Sequence, residues 1–128
     1  MYQSTDIRGV NPIAAMPFTP QGELDYSSFS RMLEHLAATG IQGLTLFGIA
    51  SEFPKLEDAE RLQLSNQFLS DLRGSGVFRA ISVTDHSTEV AVKRARDYQK
   101  RGADALMLLP PFFLQPSPEA ISHHIFSV

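Results

Sequence analysis

The sequence contains no cysteine in its 128 residues. A disulfide framework and a thiolate metal site are therefore both excluded, and the usage fits a reducing compartment. There is no excess of basic charge. Eleven Lys and Arg stand against 14 Asp and Glu, for a net charge of −3 and a pI of about 5.7, so no basic face is imposed and nucleic acid is not an expected partner. No apolar run approaches the ~20 residues that span a bilayer. The opening MYQSTDIRGV lacks the apolar core of a signal peptide. The expectation is a soluble cytoplasmic chain without a membrane partner. Low-complexity segments and long linkers are also missing, and neither G-x-G-x-x-G nor G-x-x-x-x-G-K-[ST] follows any apolar segment, which argues against a nucleotide-binding open sheet.

What is present is a globular composition, 43% apolar and 20% charged, of a length that suits one domain over residues 1–128. Apolar runs alternate with helical stripes. Pro12–Phe18 is a first short strand candidate, and Asp25 stands where a helix N-cap belongs. Phe29, Met32, Leu33 and Leu36 follow the i, i+3, i+4, i+7 spacing of an amphipathic helix over Ser27–Ala38, with Gly40 as its stop. Gly43–Gly48 is the second strand. Glu57–Leu72 is the second helix, its opening Glu57, Asp58 and Glu60 matched to the positive end of the helix dipole. Val77–Thr84 is the third strand. A third helix, capped by Ser87 or Thr88, runs to about Arg101 and turns Val90, Ala91, Ala95 and Tyr98 inward. Ala103–Pro111 is the fourth strand, and Ser117 with Pro118 opens a fourth helix.

This is a strand–helix unit repeated at a period of about thirty residues, the pattern of a parallel sheet with crossover helices. The strands are nearly all apolar, as when both faces are covered. Periodicity leaves two closures open, a doubly wound sheet or part of a (β/α)8 barrel, which needs about 250 residues when complete.

Four segments decide between them. PFTPQGELD, LFGIASEFPKLEDAER, STEVAVKRARDYQKRGADALMLLPPFF and QPSPEAI follow one another at the order and spacing of the dihydrodipicolinate synthase / N-acetylneuraminate lyase family. The chain resembles the N-terminal half of a member from about Val10 onward. The resemblance implies an α/β fold, half of a (β/α)8 TIM barrel with about four parallel βα units. It implies a lyase or synthase that forms a Schiff base between a lysine and pyruvate or another 2-oxo acid, with no cofactor. The protonated imine then acts as an electron sink, and hydroxyl groups relay protons.

The resemblance also locates departures. Where the family has Gly-Thr-Thr-Gly-Glu, this chain has Gly48-Ile49-Ala50-Ser51-Glu52. Ile49 replaces a relay hydroxyl and Ala50 replaces a carboxylate-binding hydroxyl. Phe113 stands in place of a second relay tyrosine. The remaining relay tyrosine and the imine lysine belong to fifth and sixth strands that these residues do not include. A 2-oxo-sugar-acid aldolase or dehydratase, whose substrate hydroxyls could carry protons, fits better than a true dihydrodipicolinate synthase. No catalytic residue is assigned within the chain, which is expected to be inactive alone.

Substrate binding is assigned to Ala50 and Ser51, whose backbone N–H groups survive any side-chain change. Glu52 reads as a structural anchor that accepts loop N–H bonds. Phe112 and Phe113 are expected to form a subunit contact. The lysines are Lys55, Lys93 and Lys100. The last two belong to the exposed side or end of a helix. Lys55 lies in the loop after the second strand, and a solvated lysine amine is mostly protonated at neutral pH and a poor nucleophile. His123 and His124 diverge by about 100° on a helix and make a poor metal pair. They and the isolated His35 and His86 read as surface or satisfied histidines, so no metal site is expected. Asp85 beside His86 is a weaker acid/base candidate.

A half-sheet has unpaired edges. Leu44, Leu46, Ile81, Leu106 and Leu108 are expected on an uncovered face. The chain should then self-associate or meet a complementary C-terminal half. Its ending at Ser127-Val128, inside a helical pattern, favours truncation. A non-catalytic half-barrel scaffold or pseudoenzyme subunit is the rival reading.

Overall fold

A computed structural model describes residues 7–113 and 115–128. The Met1–Asp6 part of the opening segment lies outside them. The order is α1 (Tyr26–Ala38), β1 (Gly43–Leu46), two single-turn 3-10 helices (Ile49–Ser51 and Phe53–Lys55), α2 (Asp58–Asp71), β2 (Phe78–Thr84), α3 (Thr88–Arg101), β3 (Ala105–Leu109) and α4 (Pro118–Ser127). The strands form a parallel three-stranded sheet in the order β1-β2-β3, and the helices lie in sequence against it, α1 on α2, α2 on α3 and α3 on α4.

Local chemistry sets the helix boundaries. Asp25 caps α1 by accepting from the Ser28 N–H at 2.9 Å and the Ser28 hydroxyl at 2.6 Å. These bonds, with that from Ser27, pull its carboxyl pKa down to about 2. Glu57 caps α2 in a reciprocal box with Glu60. Ser87 and Ser117 cap α3 and α4, and Pro118 opens the latter. Gly102 ends α3 at φ +93, a left-handed value that side chains resist.

The first expected strand is the largest departure. Pro12–Phe18 makes only two isolated bridges, Ile13 with Thr45 in parallel and Phe18 with Leu24 in antiparallel. Pro12 and Pro17 have no N–H to give a ladder. Backbone bonds still attach the segment to β1, from Ala14 N to Thr45 O at 2.8 Å and from Thr45 N to Pro12 O at 2.9 Å. β1 also ends sooner than expected, because Phe47 turns to φ +63.

The core lies between sheet and helices. Phe29 and Leu33 of α1, Leu64 and Phe68 of α2, and Ala91, Ala95 and Tyr98 of α3 meet Leu44, Leu46, Ile81 and Val83 there. Val90, expected to point inward, is 38% exposed. The expectation of an uncovered apolar face is corrected in the same place. Leu44, Leu46 and Ile81 are completely buried. Leu106 and Leu108 sit in register with Ile81 and Val83 and so share their helix-covered face; Leu106, on the edge strand, remains 37% exposed. The opposite face carries Thr45, Ala80, Ser82 and Thr84 of β1 and β2, with Ala105, Met107 and Leu109 of β3. It is a face of mainly small and hydroxyl side chains.

At the N-terminal end of the sheet, Arg79 and Asp104 form a two-pronged ion pair, Nε to Oδ2 at 2.9 Å and Nη2 to Oδ1 at 3.0 Å. The carboxylate also accepts the Arg79 N–H, and the guanidinium reaches Leu69 O on α2 at 3.2 Å. This pair joins β2, the start of β3 and the helix layer in one polar plug.

Candidate functional site at the strand tips

The C-terminal ends of the parallel strands present the turn after β1, the Asp85–Ser87 turn after β2 and the Pro110–Phe113 segment after β3. Side chains cluster there because each strand gives way to a loop before the next helix begins.

The turn after β1 is held from below by Ser51. This residue is completely buried. Its hydroxyl donates to Ala14 O at 2.6 Å and accepts from Phe47 N–H at 3.1 Å. Its own N–H donates to Gly48 O at 3.0 Å, closing the 3-10 turn. Gly48 is required by space, since a Cβ there would lie 2.5 Å from the Ile13 side chain. Ala50 is exposed on the outer side of the turn, and Ile49 projects at its apex, 82% exposed. Of the two residues assigned to substrate binding, Ala50 is exposed, while the Ser51 N–H is taken up by Gly48 O and its side chain is turned inward and builds the turn.

Glu52 departs from expectation. Its backbone is left-handed at φ +49, and its carboxylate pairs with the Lys55 ammonium instead of loop N–H groups. Lys55 is the lysine on this end of the sheet, with 71% of its side chain exposed. The loop is anchored by Arg61, which donates to Phe53 O at 2.7 Å and Leu56 O at 3.3 Å and lies over the Phe53 ring. Burial, then the neighbouring Arg94 charge, push the Arg61 pKa down.

Asp85 and His86 do not form an acid/base pair. Asp85 accepts from Ser87 N–H at 3.0 Å and pairs with Arg94 at 3.2 Å, which draws its carboxylate toward α3. His86 turns the other way, edge-on to Phe112 with centroids 4.8 Å apart and 5.9 Å from Phe113. Phe112 and Phe113 are 65% and 75% exposed, so the expected contact residues form an aromatic platform around His86. The tyrosines Tyr26 and Tyr98 both belong to helices. Tyr98 packs beside Phe47, and burial pushes its phenol pKa up.

The adjacent histidines separate as helix geometry requires. His123 is exposed and His124 is 1% exposed. His124 is not a fully satisfied histidine, however. Its Nδ1 lies 3.0 Å from Thr88 Oγ1, while its Nε2 is buried with no partner among the described residues. Among those residues no group of three or more His, Cys, Asp or Glu could hold a metal ion, and no helix is long and apolar enough to cross a membrane.

Sequence reasoning missed the Ser51–Ala14 tie, the Thr88–His124 pair and the Arg79–Asp104 plug. The first two link residues 37 and 36 positions apart, and no local spacing reports them. Only the plug left a trace, as a lone arginine inside an apolar strand.

Comparison with known proteins agrees with this geometry. The family model described as "Dihydrodipicolinate synthetase family" matches residues 6–128. A 4-hydroxy-tetrahydrodipicolinate synthase of Corynebacterium diphtheriae is 31% identical over 112 residues, covering 88% of this chain and 37% of the relative. That of Symbiobacterium thermophilum is 29% identical over 88% of this chain and 38% of its own length. Among solved structures, the dihydrodipicolinate synthase of Thermotoga maritima superposes with a TM-score of 0.84 at 27% identity, covering 92% of this chain and 39% of that one. A monomeric dihydrodipicolinate synthase variant gives a TM-score of 0.86 at 27% identity, covering 95% and 40%. The chain thus spans about two fifths of the length of the relatives it matches, and its half-barrel corresponds to their N-terminal part. By sequence and by architecture, it belongs to the dihydrodipicolinate synthetase family.

Proposed function

We propose that residues 1–128 act as one half-barrel unit, the substrate-holding part of a Schiff-base-forming lyase or synthase that takes pyruvate or a related 2-oxo acid. Ala50, exposed on the turn, contributes its backbone N–H to the substrate carboxylate. Ser51 fixes that turn through the bonds its hydroxyl makes to Ala14 and Phe47. Carboxylate-holding donors work best when preorganised, and a fully buried hydroxyl under the turn supplies that rigidity. With Ile49, Ala50 and Phe113 in place of hydroxyl groups, the substrate's own hydroxyls carry the protons, which favours a 2-oxo-sugar acid. The aromatic platform of Phe112 and Phe113 faces another subunit, either a second copy or a complementary C-terminal half.

The observation that carries the reading is the position of the amines. Lys55 is exposed and ion-paired to Glu52, and Lys93 and Lys100 lie on the solvent side of α3. An imine-forming lysine is ordinarily desolvated in a pocket or crowded by another cation, and all three of these are exposed to solvent. The chain holds a keto acid without itself attacking it.

Reduction with sodium borohydride in the presence of pyruvate, followed by intact-mass measurement, tests this. No gain is expected on the chain alone. A gain is expected on an added polypeptide that carries the remaining family strands. A gain on the chain alone overturns the reading. No gain on either polypeptide, with the two shown to associate, favours the scaffold reading, to which the missing hydroxyls at 49, 50 and 113 also point.

A further inference from the structure

The turns at the C-terminal ends of the strands hold few hydroxyl groups, and most of those are already spent. Ile49, Ala50 and Phe113 carry none. The Ser51 hydroxyl belongs to a completely buried residue and is bonded on both sides, to Ala14 O and Phe47 N–H. Ser87 donates to the Glu89 carboxylate and accepts from Val90 N–H. Thr88 is paired with His124. Thr84 remains. It is the last residue of β2, it is half-buried, and its hydroxyl meets that of Ser82 at 2.9 Å.

The register of the sheet puts Thr84 beside the turn proposed to hold the carboxylate. β1 pairs with β2 only as far as Leu46 and Ile81, and the chain leaves the sheet at Phe47. β2 continues for three residues more. Its tip thus stands next to the Gly48–Ser51 turn, on strands that lie ~4.8 Å apart where they pair. By alternation, Thr84 shares the face of Thr45 and Ser82, away from the helices. Met107 and Leu109 of β3 lie opposite Ser82 and Thr84 in register, and both are half-buried. An acid that is held by the Ala50 N–H and extends across β2 therefore meets a hydroxyl and then apolar surface.

The two hydroxyls form a unit with one proton to spare. Each has one O–H and two acceptor sites. If Ser82 donates to Thr84, Thr84 keeps its own proton to donate outward. If Thr84 donates to Ser82, its oxygen is left to accept. The pair can answer an alcohol in either sense, and a methyl group in the same place can use neither. We propose that Thr84 is a specificity-determining residue. Its hydroxyl binds an alcohol group on C3 or C4 of a 2-oxo acid whose carboxylate is held by the turn after β1, and Ser82 is the positioning residue behind it. This rests on the keto-acid reading and adds the contact that selects a hydroxylated acid over a plain one.

Titrations of the 128-residue chain with matched acids, followed at the Ala50 amide signal in proton–nitrogen spectra, test it. Hydroxypyruvate is set against 2-oxobutanoate, and 4-hydroxy-2-oxobutanoate against 2-oxopentanoate; within each pair a hydroxyl replaces a methyl. Pyruvate is the reference. In at least one pair the hydroxylated acid should bind about three- to tenfold more tightly, the worth of one hydrogen bond. Thr84→Val should remove that preference and Thr84→Ser should keep it. Should Thr84→Val not fold, Thr84→Ala takes its place. Ser82→Ala should reduce the preference, whereas a purely structural loss weakens both members of a pair alike; an undiminished preference there removes Ser82 from the proposal. If pyruvate and the plain acids shift Ala50 saturably but no hydroxylated acid binds more tightly, the role of Thr84 is overturned and the keto-acid reading stands. A preference that survives Thr84→Val overturns that role as well. If no acid shifts Ala50, both fall together.

Discussion

The two faces of the sheet are built for different neighbours. On one, Leu44, Leu46, Ile81 and Val83 are completely buried under the chain's own helices. On the other, Thr45, Ala80, Ser82 and Thr84 carry methyl and hydroxyl groups only. Ile13, Phe78, Met107 and Leu109 are the large apolar members of that second face, and of these only Phe78, at the start of β2, is buried. Burying one large apolar side chain contributes about 1.5–3 kcal/mol. The residues that could contribute this much are mostly on the covered face. The chain therefore keeps most of its own core without the other strands of a barrel, and its open face loses little by meeting water. Among the described residues β3 pairs with β2 alone, so its other edge has no strand beside it there.

The comparison breaks first in the helix layer if it is wrong. Phe68, completely buried in α2, should cost about 3–5 kcal/mol when changed to alanine, read as a lower midpoint in urea unfolding. A loss below about 1 kcal/mol would mean that the helix-covered side is not the core. The Arg79–Asp104 plug comes next. Both side chains are less than one fifth exposed, at 19% and 11%, and Asp104→Asn leaves a guanidinium facing Leu69 O with half its anionic partner gone. We expect about 2 kcal/mol, with Arg79→Met at the same site losing less than Asp104→Asn if desolvation of the charge is the main cost.

Ser51→Ala sharpens the contrast at the strand tips. It removes the donor to Ala14 O and the acceptor for Phe47 N–H, leaving two buried backbone groups without partners. A loss of about 1–3 kcal/mol is expected, together with faster amide exchange at Phe47. Unchanged exchange there would show that the turn is held by its backbone alone, and would remove the reason for treating Ser51 as the support of Ala50.

Much of this was legible from residue order. Asp25, Ser117 and Pro118 mark helix starts through their own side chains, so their positions were readable to the residue, while Ser87 was one of two candidate caps with Thr88. The alternation of strands and helices was readable too. The faces were not. A strand such as FRAISVT has apolar or small residues at nearly every position, and parity alone does not say which set meets the helices. Leu44 and Ile81 were accordingly placed on the open side, when they belong to the core. Pro12–Phe18 read as a strand because its composition suits one, yet its prolines cannot donate. At the site, Gly48 to Glu52 could be located by motif, whereas the inward turn of Ser51 depends on Ala14, 37 residues away. The same distance problem hid His124, whose partner Thr88 lies at the head of another helix.

The smallest expected effect is the most discriminating. Ile81 and Ser82 are neighbours on one strand, both nearly inaccessible at 0% and 4%, so burial alone ranks them alike. Their surroundings do not. Ile81 is enclosed by helix side chains, and its change to alanine leaves a cavity worth about 2–5 kcal/mol. Ser82 contacts the Thr84 hydroxyl at 2.9 Å, and Thr84 is half-buried, so water can reach the hydroxyl that loses its partner. Ser82→Ala should therefore change stability by no more than about 0.5 kcal/mol. A loss near that of Ile81→Ala would mean that the open face is sealed in solution, by a second copy or by other strands, and sedimentation of the same sample would then have to show a species larger than one chain.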